Sequence, residues 1–219
     1  MQYKAVIFDL DGTLINTLDD LGDAVNFMLA GYGYPTFPID DYKMMVGNGM
    51  RKLIERAMPP EHQEKAEIDA ALAIFMERYN AHALDKTHAY QGVPEAVKAV
   101  SDLGLKTAVC TNKAEASAKL ILEKLYPGCF DFILGQRENL PTKPDPAGVL
   151  LVMKELGVTP AECVFVGDSG VDIQTAVNAG AFPVGVLWGF RDEKELRDNG
   201  AKEIISDPAD LVSFLQDSK

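Results

Sequence analysis

The chain has 219 residues, of which 47% are hydrophobic and 25% are charged, a composition typical of globular proteins. This length allows one large domain or two unequal ones. The net charge of −12 disfavours nucleic acid and anionic membranes as partners, and an anionic substrate would need local positive groups.

The cysteines, Cys110, Cys129 and Cys163, are odd in number and include no Cys-x-x-Cys pair. They indicate neither a disulfide framework nor a zinc ribbon, and the first and last lie in apolar runs typical of buried strands. No basic segment followed by an apolar one opens the sequence, and no run of about 18 apolar residues occurs. We therefore expect a soluble, cytoplasmic protein.

Residues 5–14, AVIFDLDGTL, begin as a short buried strand and end at two carboxylates. Because side chains alternate along a strand, Asp9 and Asp11 tend to face the same way, and Gly12 permits a close approach to a ligand. At about 4 Å and an effective dielectric of about 20, the two charges repel by roughly 4 kcal/mol. The repulsion favours a bound cation or a raised pKa on one carboxyl, although a plain surface turn also fits the pattern.

A helical block follows the first strand. Apolar residues recur at helical spacing from Leu18 to Tyr79, in stretches ended by glycines or prolines, and residues 16–87 contain no convincing strand. We therefore expect a helical cap domain at 16–87, inserted into a core domain formed by 1–15 and 88–219.

After Tyr90, strands and helices alternate. Strands are predicted at 105–110, 132–134, 163–166 and 183–187, with helices between them and a last helix from Asp207 onward. This alternation is typical of a parallel sheet with helices on both faces. The predicted fold class is therefore α/β.

Polar side chains follow three of these strands and occupy one loop between them. They are Asp9 and Asp11, then Thr111, Asn112 and Lys113, then Lys143, and finally Asp168 and Asp172. Each group alone has an ordinary structural explanation, such as a helix cap, a turn or a solvated lysine. Together, at one sheet edge, they suit phosphoryl transfer, because carboxylates hold a divalent cation and the other groups donate to phosphate oxygens.

The four groups resemble the four motifs of the haloacid dehalogenase superfamily. The resemblance implies a Rossmann-like parallel sheet, a helical cap and Mg²⁺ as the cofactor. It implies that Asp9 is the nucleophile and Asp11 the general acid and base. It also implies that Asp9, the backbone carbonyl of Asp11, and Asp168 hold the metal, with Asp172 binding the metal or orienting its waters.

By the same resemblance, Thr111, Asn112 and Lys143 would bind the phosphate, with Lys143 also balancing the aspartate charges. Asp11 favours a phosphatase over a dehalogenase, because a phosphate ester needs its leaving oxygen protonated and a halide does not.

Four stretches resemble phosphoglycolate phosphatases more specifically. They are residues 46–49 with Arg51, 111–113, 140–144 and 188–191. In the cap, the backbone at Asn48 and Gly49 together with Arg51 could receive a substrate carboxylate, or could form an ordinary solvated link between helices. Lys113 could stand at the site entrance or be solvated.

The resulting prediction is a magnesium-dependent phosphomonoester hydrolase acting through an aspartyl-phosphate, with phosphoglycolate as the preferred substrate. Alternatives in the same superfamily are a phosphatase of another small metabolite, a pyrophosphatase or a sugar-phosphate mutase. A non-enzymatic alternative is an inactive binding or regulatory module with the same fold. We expect a monomer or homodimer acting on a small phosphorylated metabolite, with no nucleic-acid or membrane partner.

Overall fold

The computed structural model describes residues 3–218 and divides the chain into two compact units. One unit contains Met1–Ile15 and Ala89–Lys219, and the other contains Asn16–His88. These bounds lie within one residue of the predicted domain division at 15/16 and 87/88. That the second unit is a cap remains a proposal, treated below.

The first unit contains a six-stranded parallel sheet in the order β5-β4-β1-β6-β7-β8. A second sheet has two strands, β2 and β3, and each of these strands includes one of the two unit boundaries. The strands are β1 Ala5–Phe8, β2 Ile15–Asn16, β3 His88–Ala89, β4 Lys106–Ala114, β5 Phe132–Gln136, β6 Cys163–Gly167, β7 Phe182–Val186 and β8 Glu203–Ile205.

Six α-helices are described in the first unit: α4 Val93–Asp102, α5 Glu115–Leu125, α6 Ala147–Leu156, α7 Gly170–Ala179, α8 Glu193–Asp198 and α9 Pro208–Asp217. The second unit has three, α1 Leu18–Gly31, α2 Met50–Ala57 and α3 Lys65–His82. Short 3₁₀ helices occur at Ile39–Met44, Pro60–His62 and Pro160–Glu162. No helix within residues 3–218 is long and apolar enough to cross a bilayer.

The strand β1 lies at the centre of the sheet because its sequence, Ala-Val-Ile-Phe, is apolar on both faces and completely buried. Phe8 pairs with Val109 on one side and Val166 on the other. The ladder continues where the Asp9 N–H donates to the Val166 carbonyl at 2.9 Å. The carboxyl ends of β1, β4 and β6 therefore lie side by side, and the predicted α/β fold with a parallel sheet is confirmed.

One hydrophobic cluster packs helices α6 and α7 against the sheet. Ile7 and Phe165 on the strands contact a layer that includes Val149 and Met153 from α6. Each large apolar side chain buried in this way contributes roughly 1.5–3 kcal/mol to stability. Cys110 and Cys163 are buried here as free thiols, as predicted.

Polar contacts as well as apolar packing stabilise the second unit. The Asn26 side chain on α1 bonds both the N–H and the carbonyl of Phe37 and accepts from the Tyr42 hydroxyl at 2.7 Å. Asp20, in the first turn of α1, accepts the backbone N–H groups of Lys86 and Thr87. These contacts hold irregular segments against the helix.

The prediction ended one long strand too early and missed three short strands. The prediction ended the second long strand at residue 110, but β4 continues through the polar residues to Ala114, which pairs with Gln136 after a register shift. Backbone pairing persists there although the apolar pattern has stopped. The strands β2, β3 and β8 were not predicted, because two or three residues are too few to show an alternating pattern.

Candidate active site

Three buried carboxylates meet at the carboxyl edge of the sheet. Asp9 follows β1, Asp168 follows β6, and Asp172 lies in the first turn of α7. One ligand oxygen from each residue lies within 4.8 Å of those of the other two. Burying charge is costly unless it is paired, so this arrangement requires cations nearby.

Lys143 supplies one of these cations. Its Nζ lies 2.8 Å from Asp9 Oδ1 and 2.6 Å from Asp172 Oδ1. Burial lowers the pKa of Lys143, but the charges of Asp172 and Asp9 outweigh burial and raise this pKa above its usual value, so the group stays protonated.

The negative charge of the three carboxylates remains unfavourable even with Lys143 beside them. Burial first, and then the charge of Asp172, raise the pKa of Asp9 to about 7 against the opposing effect of Lys143. Burial and the charges of Asp172 and Asp9 also raise the pKa of Asp168 well above its usual value. Such a site gains stability from a bound cation, which favours the ionised carboxylates.

Asn112 holds the loop that carries Lys143. Its Oδ1 accepts the Lys143 backbone N–H at 2.8 Å, and its Nδ2 donates to the Lys143 carbonyl at 3.2 Å. Thr111 lies beside it, and its Oγ1 accepts the N–H of Lys113 at 3.2 Å. The structure therefore brings Asn112 and Lys143 together, and phosphate binding by Thr111, Asn112 and Lys143 stays a prediction.

Asp11 forms a separate pair with Lys113. The Lys113 Nζ donates to both oxygens of Asp11, at 3.0 and 3.2 Å. The Lys113 side chain has no exposed surface, so the alternative that it is solvated was wrong. Local sequence could not show this burial, because the partner carboxylate lies 102 positions earlier in the chain.

The predicted substrate-carboxylate residues lie in the other unit. Gly49 immediately precedes α2 with φ +86°, and Asn48 accepts a hydrogen bond from Arg56 at 2.7 Å. The Arg51 guanidinium pairs with Asp69, which also accepts from Lys65 at 3.0 Å. Their role in specificity stays a prediction.

Sequence reasoning missed the groups that orient the carboxylates. The Ser169 hydroxyl and N–H donate to Asp172 Oδ2 at 2.6 and 3.0 Å. This capping box could have been found from the Ser-x-x-Asp spacing. Thr13 Oγ1 and the Phe190 N–H donate to Asp168, and Phe190 carries no local signal for such a role.

The residues present fit a magnesium ion. Asp9, Asp168 and Asp172 form a buried carboxylate triad, and the Lys143 ammonium contacts two of its members. These three carboxylates carry more negative charge than Lys143 can offset, so a divalent cation would stabilise their ionised forms. The triad offers oxygen ligands, the type that Mg²⁺ prefers.

Known proteins share this architecture. A solved structure from Lactobacillus delbrueckii subsp. bulgaricus, provisionally assigned as a phosphoglycolate phosphatase, is 33% identical with a TM-score of 0.93, covering 98% of this chain and 99% of its own. Phosphoglycolate phosphatase from Psychrobacter arcticus is 37% identical over 98% of this chain and 96% of its own. Phosphoglycolate phosphatase 1 from Pseudomonas aeruginosa is also 37% identical, over 95% and 78%.

The sequence pattern described as haloacid dehalogenase-like hydrolase matches residues 6–186. This span includes all four motif groups identified in the sequence. The predicted resemblance is confirmed, and the chain belongs to the haloacid dehalogenase-like hydrolase family.

Proposed function

We propose that this hydrolase cleaves phosphate monoesters with Mg²⁺ as cofactor, through an aspartyl-phosphate formed on Asp9. One observation carries the proposal: the Asp9 carboxylate lies beside the Lys143 ammonium and within 4.8 Å of ligand oxygens of Asp168 and Asp172. A nucleophile, a fixed cation and a place for a second cation are thereby combined in one buried cluster.

In the first step, an oxygen of Asp9 attacks phosphorus, the new Asp9 oxygen–phosphorus bond forms, and the bond to the leaving oxygen breaks. Asp11 donates a proton to that leaving oxygen. Lys143 orients Asp9 and offsets the negative charge that gathers on the phosphoryl group. Asp9, Asp168, the backbone carbonyl of Asp11 and, directly or through water, Asp172 would hold Mg²⁺, which would supply further charge stabilisation.

In the second step, Asp11 accepts a proton from water, and the water oxygen attacks the phosphorus of the aspartyl-phosphate. The Asp9 oxygen–phosphorus bond breaks, which regenerates the carboxylate and releases inorganic phosphate. Thr111, Asn112 and Lys143 would donate to the phosphate oxygens. Use of the same residue as acid and then base returns the protein to its starting protonation.

We propose phosphoglycolate as the substrate, in the cytoplasm. The support is the name of the curated relatives at 37% identity together with the predicted carboxylate site. The helical unit Asn16–His88 would act as the cap. In it, Asn48, Gly49 and Arg51 would bind the carboxylate next to the ester, so a small phosphorylated acid would be selected.

The test is phosphate release from a panel of phosphate esters and pyrophosphate, with Mg²⁺ or with chelator. We expect magnesium-dependent release, highest kcat/KM on phosphoglycolate, and a loss of more than about a hundredfold in Asp168→Asn. Asp102→Asn, at an exposed position on α4, is the matched control and should retain wild-type activity. Undiminished turnover in chelator, or in Asp168→Asn, would contradict the proposal.

A further inference from the structure

Asp168 lies in a narrow slot between two glycine backbones. A Cβ on Gly12 would lie 2.3 Å from Asp168 Oδ2, and a Cβ on Gly189 would lie 2.3 Å from both the Asp168 Cβ and the Gly12 carbonyl oxygen. Real Cβ atoms essentially never make contacts this short. Only glycine at both positions leaves room for the carboxylate where it stands.

Gly189 lies in the loop between β7 and α8. The Phe190 N–H in this loop donates to Asp168 Oδ2 at 2.8 Å, while Thr13 Oγ1 donates to Oδ1 at 3.2 Å. The Trp188 indole N–H donates to the Thr13 carbonyl at 2.9 Å. The loop therefore holds Asp168 directly through Phe190 and indirectly through Trp188 and Thr13.

We propose that residues 188–190 form a positioning element for the metal ligand Asp168, with Gly189 and Trp188 as its positioning residues. The proposal rests on the proposed function, since it requires Asp168 to hold a cation. Asp168 Oδ1 accepts from Thr13 and Oδ2 accepts from Phe190, which leaves lone pairs for a cation while the two glycines restrict rotation of the carboxylate. Outer contacts of this kind commonly change metal affinity by about 10- to 100-fold.

Gly189→Ala tests the slot itself. The backbone at Gly189 is not left-handed, so alanine tests only the added Cβ. We expect Mg²⁺ affinity, measured by calorimetry, to fall at least about tenfold, and excess Mg²⁺ to restore part of the activity. Gly31→Ala, where a Cβ meets nothing within 4 Å, should bind as wild type.

Trp188→Phe tests the indirect contact without adding bulk. It keeps an aromatic ring but removes the N–H that donates to the Thr13 carbonyl, so Mg²⁺ affinity should fall about three- to tenfold, the usual effect of losing one hydrogen bond.

Trp188 is also the sole tryptophan of the chain, so in the wild type its fluorescence should change over the Mg²⁺ concentrations at which calorimetry detects binding. Emission unchanged at saturating Mg²⁺ would contradict the coupling.

Calorimetry with Mg²⁺ alone separates failure of this proposal from failure of the proposed function. If the wild type binds no Mg²⁺, or if Asp168→Asn binds it with unchanged affinity, the proposed metal site is wrong and both proposals fail. Binding that is lost in Asp168→Asn but unchanged in Gly189→Ala and Trp188→Phe would overturn the positioning element alone. If Gly189→Ala fails to fold, the affinity of Trp188→Phe decides, with weaker binding in support and unchanged binding against.

Discussion

Lys113 and Asp11 form an ion pair in which the ammonium nitrogen lies 3.0 and 3.2 Å from the two carboxylate oxygens. The lysine side chain is fully buried, and that of Asp11 is 15% exposed. A buried ammonium is unfavourable without a partner, so the pair joins the end of β4 to the turn after β1. If Asp11 is the general acid and base, the ion pair with Lys113 fixes the position of the Asp11 carboxylate.

Replacement of Lys113 by methionine should therefore lower kcat more than it raises KM. We expect a fall of about 10- to 100-fold, part of the usual contribution of general acid–base catalysis. The rate of the first step should fall less with p-nitrophenyl phosphate than with phosphoglycolate, because its leaving oxygen needs little protonation. Burst kinetics measure the rate of that step. Lys119→Met, at an exposed pair on α5, is the control. Unchanged kcat in Lys113→Met would contradict a role through Asp11.

Replacement of Arg51 by alanine tests the carboxylate site in the helical unit. The KM for phosphoglycolate should rise about tenfold or more, because a charge-assisted contact to the substrate carboxylate is lost. The KM for a phosphate ester without a carboxylate should change little. Lys52→Ala, the neighbouring exposed cation, should leave both values unchanged. Equal effects of Arg51→Ala on both esters would argue against the carboxylate site.

The stability of the metal-free protein should depend on pH through Asp9. Burial and the charge of Asp172 raise its folded-state pKa to about 7, above an unfolded value of about 3.9. The folded state therefore binds the proton more tightly, and the contribution of Asp9 to stability falls as pH rises from about 4 to 7. Thermal unfolding in chelator should show wild type losing stability relative to Asp9→Asn across this range. A difference independent of pH would contradict the raised pKa.

Asp20 should be essential to the stability of the helical unit. Its carboxylate accepts the N–H groups of Lys86 and Thr87 and the Thr87 hydroxyl. Asp20→Ala leaves these donors without their acceptor, so the free energy of unfolding should fall by about 2–4 kcal/mol in urea titrations. Asp23→Ala removes only an exposed pair with Lys86 and should cost less than about 1 kcal/mol. Equal losses in the two variants would contradict this difference.

The parts of the fold and site that sequence could predict are those with local patterns. The apolar run of β1 predicts a buried strand, and the carboxyl ends of adjacent parallel strands must share one sheet edge. Asp9 and Asp168 follow neighbouring strands, so their meeting follows from topology. The sequence also places Lys143 in a loop near this edge, and the structure shows its contact with Asp9.

The remaining features depend on contacts between distant segments. Lys113 has the local pattern of an exposed residue, but Asp11 makes its burial possible. Asn112 binds the backbone of Lys143, a pairing that becomes visible only when both loops are placed. The slot around Asp168 is formed partly by Gly189, whose stretch resembles a known family but whose contact with Asp168 is not visible in the sequence.

The proposed mechanism depends most on the attack of Asp9 on phosphorus. Asp11→Asn should still allow the first step with a good leaving group but lack the base that activates water, so phosphorylated protein should accumulate. Borohydride reduces an aspartyl-phosphate to homoserine, which peptide mass spectrometry locates. The matched control is Asp9→Asn, in which no homoserine should form.

The decisive measurement is therefore the position of homoserine after Asp11→Asn is mixed with Mg²⁺ and p-nitrophenyl phosphate and then treated with borohydride. If Asp9 is the nucleophile, homoserine should stand in place of Asp9. Phosphate release by the wild type together with homoserine at another aspartate, or with none in the trapped protein, would contradict it.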